Sequence, residues 1–226
     1  MPLLALSGLT RSYDGVQALA GVDLDLHAGR IHALVGENGA GKSTLIGILA
    51  GTVRPDAGVL RWSPRCAGRI AVVHQHSHLL PHLTIAENLA VRHGYPRTAL
   101  GSIDWRRLSE DCDRVLREFS DGIAPEVDAA ALGTVERQLV EIALTLADRE
   151  DEGADVVVLD EPTAVLPVAE SAQLLAHLRS LREAGRAVIF TSHRLDEVLA
   201  IADDVTVLRD GHVVYQGSVD GPDEAG

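Results

Sequence analysis

Of the twenty Lys+Arg positions in the chain, Lys42 alone is lysine. It sits inside Gly36-Glu37-Asn38-Gly39-Ala40-Gly41-Lys42-Ser43, which fits the pattern G-x-x-x-x-G-K-[ST] without adjustment. The chemistry such a segment suits is the binding of a triphosphate. Glycines let the backbone wrap closely around phosphate oxygens with N–H groups pointing inward, and the positive end of a following helix adds to the attraction. Lys42 would reach the β- and γ-phosphates as a compact point charge, and the Ser43 hydroxyl would bind Mg²⁺. The wide planar fork of arginine does not fit the narrow interior of such a loop, which accounts for one lysine in a chain that otherwise uses arginine.

Two adjacent carboxylates, Asp160 and Glu161, follow the apolar run Val156-Val157-Val158-Leu159. In isolation, acids at a strand end read as a solvated turn. Behind a phosphate loop they divide the work: Asp160 holds Mg²⁺ through water, and Glu161 polarises the water that attacks the γ-phosphate. Gln75, closing Val72-Val73-His74-Gln75, is placed to touch the metal and sense the γ-phosphate. His193, closing Ala187-Val188-Ile189-Phe190-Thr191-Ser192-His193, is placed to hydrogen-bond the γ-phosphate or the attacking water. A lone histidine after a strand is more often structural, so its weight comes from the set. Tyr13 is the one aromatic that precedes the loop, either a flat partner for an adenine ring or a packing residue. His74, His76, His78 and His82 admit a metal reading and a solvated-loop reading. Leu79-Leu80-Pro81 breaks the strand that the metal reading needs and favours the loop.

These side chains need elements to hold them. Residues 30–35 read as a short buried strand and residues 43–50 as an apolar helix, so the glycine segment has the strand–loop–helix setting it requires. The branched run 155–159 marks a strand covered on both faces of a parallel sheet, and ligands collect at the carboxyl ends of such strands. Helix-period apolar spacing runs through 103–119 and 135–147, and the acidic stretch 148–155 reads as an exposed loop.

A length of 226 residues allows one large or two small domains, and 46% hydrophobic with 23% charged residues is a globular composition. The net charge of -13 argues against a protein that grips nucleic acid through its overall field. No stretch approaches a membrane span, and the first six residues lack the basic start and apolar core of a secretion signal, so a cytoplasmic location is expected. Cys66 and Cys112 fit no zinc or redox spacing and read as ordinary thiols.

The set as a whole resembles the ATPase domain of ATP-binding-cassette (ABC) proteins. Tyr13 matches the adenine-stacking residue, residues 36–44 with Thr44 the Walker A motif, and Gln75 the Q-loop. Residues 156–161 match Walker B with its catalytic glutamate, and His193 the switch histidine. Ala33-Leu34-Val35-Gly36-Glu37-Asn38-Gly39, Leu83-Thr84-Ile85-Ala86-Glu87-Asn88-Leu89 and Thr191-Ser192-His193-Arg194-Leu195-Asp196-Glu197 are similar to the first cassette of sugar-type, ribose- or xylose-like importers. The resemblance implies an α/β P-loop NTPase fold: a RecA-like parallel sheet flanked by helices, a small antiparallel β-portion at about 3–30, and an α-helical subdomain at about 81–151. All of these lie within one ABC ATPase domain spanning 1–226.

It also implies ATP and Mg²⁺ as cofactors and hydrolysis coupled to import of a sugar or similar small solute. Transport would run through separate transmembrane permease subunits, with an extracytoplasmic solute-binding protein acting through them. The cassette itself would sit peripherally on the inner face of the cell membrane. A non-transport ABC ATPase and a regulatory cassette with little turnover are the alternatives.

One motif departs from the family. Leu132-Gly133-Thr134-Val135-Glu136 stands where the family has Leu-Ser-Gly-Gly-Gln, the signature that one cassette lends to its partner's ATP. The serine is Gly133, and the glycines are Thr134 and Val135. Ala164-Val165-Leu166-Pro167 likewise replaces a loop that usually ends in aspartate. The groups for the chain's own ATP are intact and those for a partner's are not. This implies pairing with a second, different cassette whose signature is complete, with a homodimer as the alternative. Lys42→Arg should impair ATP binding or hydrolysis although it keeps the charge, and nucleotide titration with a turnover assay checks this.

Overall fold

The computed structural model describes residues 1–64, 66–73, 78–119, 122–147 and 154–219. Two sheets and a layer of helices share one sequence logic, the alternation of buried side chains along strands. Strands β1 (Leu4–Tyr13) and β2 (Val16–Leu26) pair antiparallel, and β4 (Ala57–Trp62) joins the other edge of β1. Leu4, Leu6, Leu24 and Leu26 all point to the same buried side.

The second sheet has the order β5-β6-β7-β3-β8-β9. Strands β3 (Ile31–Val35), β5 (Ile70–Val73), β6 (Val156–Leu159), β7 (Ala187–Thr191) and β8 (Asp204–Arg209) run parallel, and β9 (His212–Ser218) returns antiparallel against β8. Odd and even residues of its central strands enter different cores. Val157, Leu159, Val188 and Phe190 face the helical side, whereas Val156, Val158, Ala187 and Ile189 face the antiparallel sheet and α1 (Lys42–Leu49). A strand wetted on neither face has no polar position to alternate with, which is why β6 reads as an unbroken apolar run. Buried His32 of β3 hydrogen-bonds Thr206 of β8 at 2.8 Å, and burial pushes its imidazole down to about 4.

Helices α2 (Ile85–His93), α3 (Trp105–Arg117) and α4 (Thr134–Leu146) follow β5, and α5 (Val168–Glu183) and α6 (Leu195–Ile201) cover the same side of the sheet. Helix α2 begins with a capping box: Thr84 Oγ1 accepts from the Glu87 N–H while Glu87 accepts from the Thr84 N–H. The antiparallel portion extends beyond 3–30, because β4 comes from after α1. Only Leu60 and Trp62 of its residues are half-buried and the rest are exposed, so its alternation is too short to betray it in the sequence. Cys66 and Cys112 are free thiols, and burial pushes Cys112 up to about 12, so it stays protonated.

Two buried polar residues fasten the chain after β5 to the helices. The Asn88 amide accepts from Leu80 N–H at 2.7 Å and donates to the carbonyls of Leu80, Leu83 and Thr84. Glu141 of α4 accepts from the His78 N–H and pairs with Arg92 of α2. The Glu141 side chain is 3% exposed and that of Arg92 23%. Losing one member of a fully buried pair costs about 3–5 kcal/mol, and partial exposure of the cation reduces this. Arg92→Ala should therefore destabilise the fold by about 2–3 kcal/mol, seen as a lower midpoint of urea unfolding.

Candidate functional site

The carboxyl ends of β3, β6 and β7 lie side by side, and the candidate residues follow directly from them. After β3, the chain turns through residues 36–41 into α1. Gly41 adopts φ 107°, and a Cβ there would run into the Ala18 carbonyl of β2. A Cβ at Gly36 would lie 2.5 Å from the Leu208 carbonyl of β8. Two glycines are thus required by neighbouring backbone, one by close approach alone and one by close approach and conformation together. Glu37, Asn38 and Gly39 are exposed at the loop crest and Ala40 is buried beneath them. Ser43 is exposed and Thr44 half-buried in the first turn of α1.

Lys42 folds back into the loop. Its Nζ donates to the carbonyls of Gly36 at 2.6 Å and Glu37 at 3.1 Å. It is 7% exposed and makes no ion pair among the described residues. A buried ammonium with no counter-charge, held against a glycine-walled turn at a helix start, suits an anion. The oxygen donors Ser43 and Asp160 suit a hard divalent cation such as Mg²⁺.

Strand β7 lies between β3 and β6, with Leu34 opposite Thr191 and Leu159 opposite Phe190. Thr191 is therefore next to the end of β6. Its hydroxyl donates to Asp160 Oδ1 at 2.8 Å and accepts from the Glu161 N–H at 2.7 Å. Glu161 takes φ 48°, left-handed backbone that a non-glycine residue rarely adopts and that functional sites often store. The turn sends its side chain toward the chain after β7, where Oε1 lies 3.2 Å from His193 Nδ1. Glu161 is largely buried and His193 largely exposed, so the pair spans the boundary between core and solvent.

Tyr13 is at the turn end of the β1–β2 hairpin, opposite Val16, 41% exposed, with the Arg11 guanidinium 4.7 Å from its ring centre. Gln75 lies outside the described residues, as do His74 and His76. Among the described residues no cluster of three His, Cys, Asp or Glu could hold a metal, and His78 and His82 lie in loop segments. At the start of α4, Leu132 is buried, Gly133, Thr134 and Glu136 are exposed and Val135 is half-buried. Glu136 Oε2 accepts from the Gly133 N–H at 2.8 Å.

Sequence reasoning missed Thr191, Thr163, Ser192 and Glu197, all buried: Thr191 ends β7, Thr163 and Ser192 lie in the turns that carry Glu161 and His193, and Glu197 is in α6. Polar side chains at the end of an all-apolar strand such as β7 were the available signal.

A glycine loop joining a buried parallel strand to a helix, with a lysine in its throat and an acidic pair on a second strand, defines a P-loop nucleoside-triphosphate-binding fold. The ABC transporter family pattern matches residues 19–164, and the chain belongs to that family. It is 44% identical over 224 residues to the ribose import ATP-binding protein RbsA 2 of Rubrobacter xylanophilus, covering 95% of this chain and 42% of that protein. It is 41% identical over 220 residues to the arabinose import ATP-binding protein AraG of Azospirillum brasilense, covering 93% of this chain and 41% of that one. The chain thus spans less than half the length of these curated relatives. The dimeric structure of a bacterial ABC transporter cassette shares the fold with a TM-score of 0.82 at 22% identity, covering 97% of this chain and all of that one.

Thr191→Val removes one hydroxyl that serves both Asp160 and Glu161 while keeping volume. It should lower stability by about 1.5–3 kcal/mol, the worth of a hydrogen bond to a charged group, as read by denaturant unfolding.

Proposed function

We propose that this chain is an ATP-hydrolysing cassette that drives import of a sugar or similar small solute. The observation that carries the reading is the meeting of Glu161 and His193 at 3.2 Å beside a phosphate loop whose lysine has no counter-charge among the described residues. The names of its relatives, import ATP-binding proteins for ribose and arabinose, support the sugar class. No helix among the described residues is long and apolar enough to cross a membrane, so the solute path is assigned to permease subunits, with a solute-binding protein feeding them. The cassette is assigned to the cytoplasmic face of the membrane, as one domain with α2–α4 as its helical subdomain.

In this reading the backbone of residues 36–41 and the N–H groups of Lys42, Ser43 and Thr44 surround the phosphates. Lys42 exchanges its two carbonyl partners for phosphate oxygens. Tyr13 stacks on adenine with the ring face that Arg11 leaves uncovered. Ser43, Asp160 and Gln75 hold Mg²⁺, which supplies charge neutralisation on the phosphates. Glu161 orients the attacking water and draws on its proton, and His193 hydrogen-bonds the γ-phosphate or that water.

The start of α4 supports an asymmetric partnership. A family signature offers its helix N-terminus to the partner's γ-phosphate, but here the Glu136 carboxylate already occupies the Gly133 N–H. A second anion brought there would meet a negative charge instead of a free donor. The partner is therefore a second, different cassette with a complete signature, which would serve the ATP held on this chain's own loop. The same observation favours one competing reading, a regulatory cassette that binds ATP with little turnover.

Glu161→Gln separates the two. With the partner cassette present, turnover should fall by about 10²–10⁴-fold while ATP binding persists. Turnover indifferent to Glu161→Gln would sink the enzymatic reading, and robust turnover by this chain alone would sink the asymmetry.

A further inference from the structure

Glu197, near the start of α6, is 4% exposed, so its carboxylate needs partners inside the protein. It finds them on both loops that bear the candidate catalytic pair. Oε2 accepts from Thr163 Oγ1 at 2.7 Å, two residues past Glu161, and from Ser192 Oγ at 2.9 Å, one residue before His193. Ser192 Oγ in turn accepts from the Arg194 N–H at 3.0 Å, and Arg194 Nη1 lies 2.9 Å from Glu197 Oε1. One buried carboxylate therefore joins the turn after β6, the turn after β7 and the side chain of Arg194.

The backbone supplies a second tie between the same loops, the Glu161 N–H to Thr191 Oγ1. That bond lies on the strand side of the pair and the Glu197 bonds lie on the far side. Thr191 fixes where Glu161 leaves β6, but it does not fix how far the two turns spread beyond that point. The Glu197 carboxylate does, because shifting either turn breaks a hydrogen bond from a hydroxyl to a buried charge, the strong kind. His193 itself is exposed, so packing does little to hold its ring.

We propose that Glu197 is a positioning residue that sets the separation and orientation of Glu161 and His193 through Thr163 and Ser192. As a statement about catalysis this rests on the reading that Glu161 and His193 act on ATP; as a statement about geometry it does not. The carboxylate acts through the two hydroxyls and the Arg194 side chain that flanks His193.

The test compares Glu197→Ala and Glu197→Gln in the full chain, with turnover measured beside its partner cassette. Glu197→Ala should lower kcat by about 10–100-fold, the scale of an ångström-sized misplacement of catalytic groups, with KM for ATP within about twofold because the phosphate loop is untouched. Glu197→Gln keeps an oxygen for the two hydroxyls and should recover much of that loss. A readout without nucleotide runs alongside. The His193 ring resonances in the NMR spectrum should move in Glu197→Ala toward their positions in Glu161→Gln, where the carboxylate partner is gone. An unmoved His193 signal in folded Glu197→Ala overturns the proposal. So does a loss in which kcat, KM and thermal midpoint fall together and Glu197→Gln rescues none. Absence of ATP turnover in the wild-type chain with its partner would count against the enzymatic reading alone, since the His193 signal still decides the geometry.

Discussion

Burial of β3, β6 and β7 on both faces is the constraint from which the site follows. Each strand is closed above by helices and below by the antiparallel sheet and α1, so none can shift by one residue without turning its apolar set into the wrong core. Register therefore aligns their carboxyl ends to within a residue, and polar chemistry is confined to where the strands stop. The glycine turn leaves β3, the acidic pair leaves β6 and the histidine leaves β7. Placing these groups side by side needs no further device, because sheet geometry fixes the spacing between neighbouring strands.

The finer adjustment is polar. Thr191, on the strand between the other two, couples both acids, and the backbone of Glu161 is bent into a left-handed turn that aims its side chain at the histidine. Such a conformation persists only where the surroundings over-determine it. The buried hydroxyls and the Glu197 carboxylate are those surroundings. Together they hold acceptors and donors in place before any ligand arrives, which is the condition for electrostatic stabilisation without reorganisation.

Legibility in the sequence followed the range of the interaction. The phosphate loop was readable because its requirements are local: glycine where backbone from β2 and β8 crowds in, lysine in the throat, a strand before and a helix after. The β6 run was readable because burial on both faces erases alternation. Strand β4 was not readable, since only Leu60 and Trp62 turn partly inward and two positions make too short a period to mark a strand. The links from Glu197 to Thr163 and Ser192 were not readable either, because nothing in a linear chain says that residues 163 and 192 meet. The Glu136 contact falls between these cases. The spacing from Gly133 to Glu136 is that of a capping box, but a resemblance to a signature motif directs attention to what is missing at these positions instead of to what the glutamate does.

The contact between Gly41 and the Ala18 carbonyl ties the phosphate turn to the hairpin that carries Tyr13 with no side chain in between. Main chain against main chain leaves no rotamer to adjust. The main-chain path between that hairpin and the phosphate turn is therefore a rigid gauge, set by two strands and a glycine. A ligand that uses both ends must match its length, and a compact anion such as free phosphate can engage only one of them.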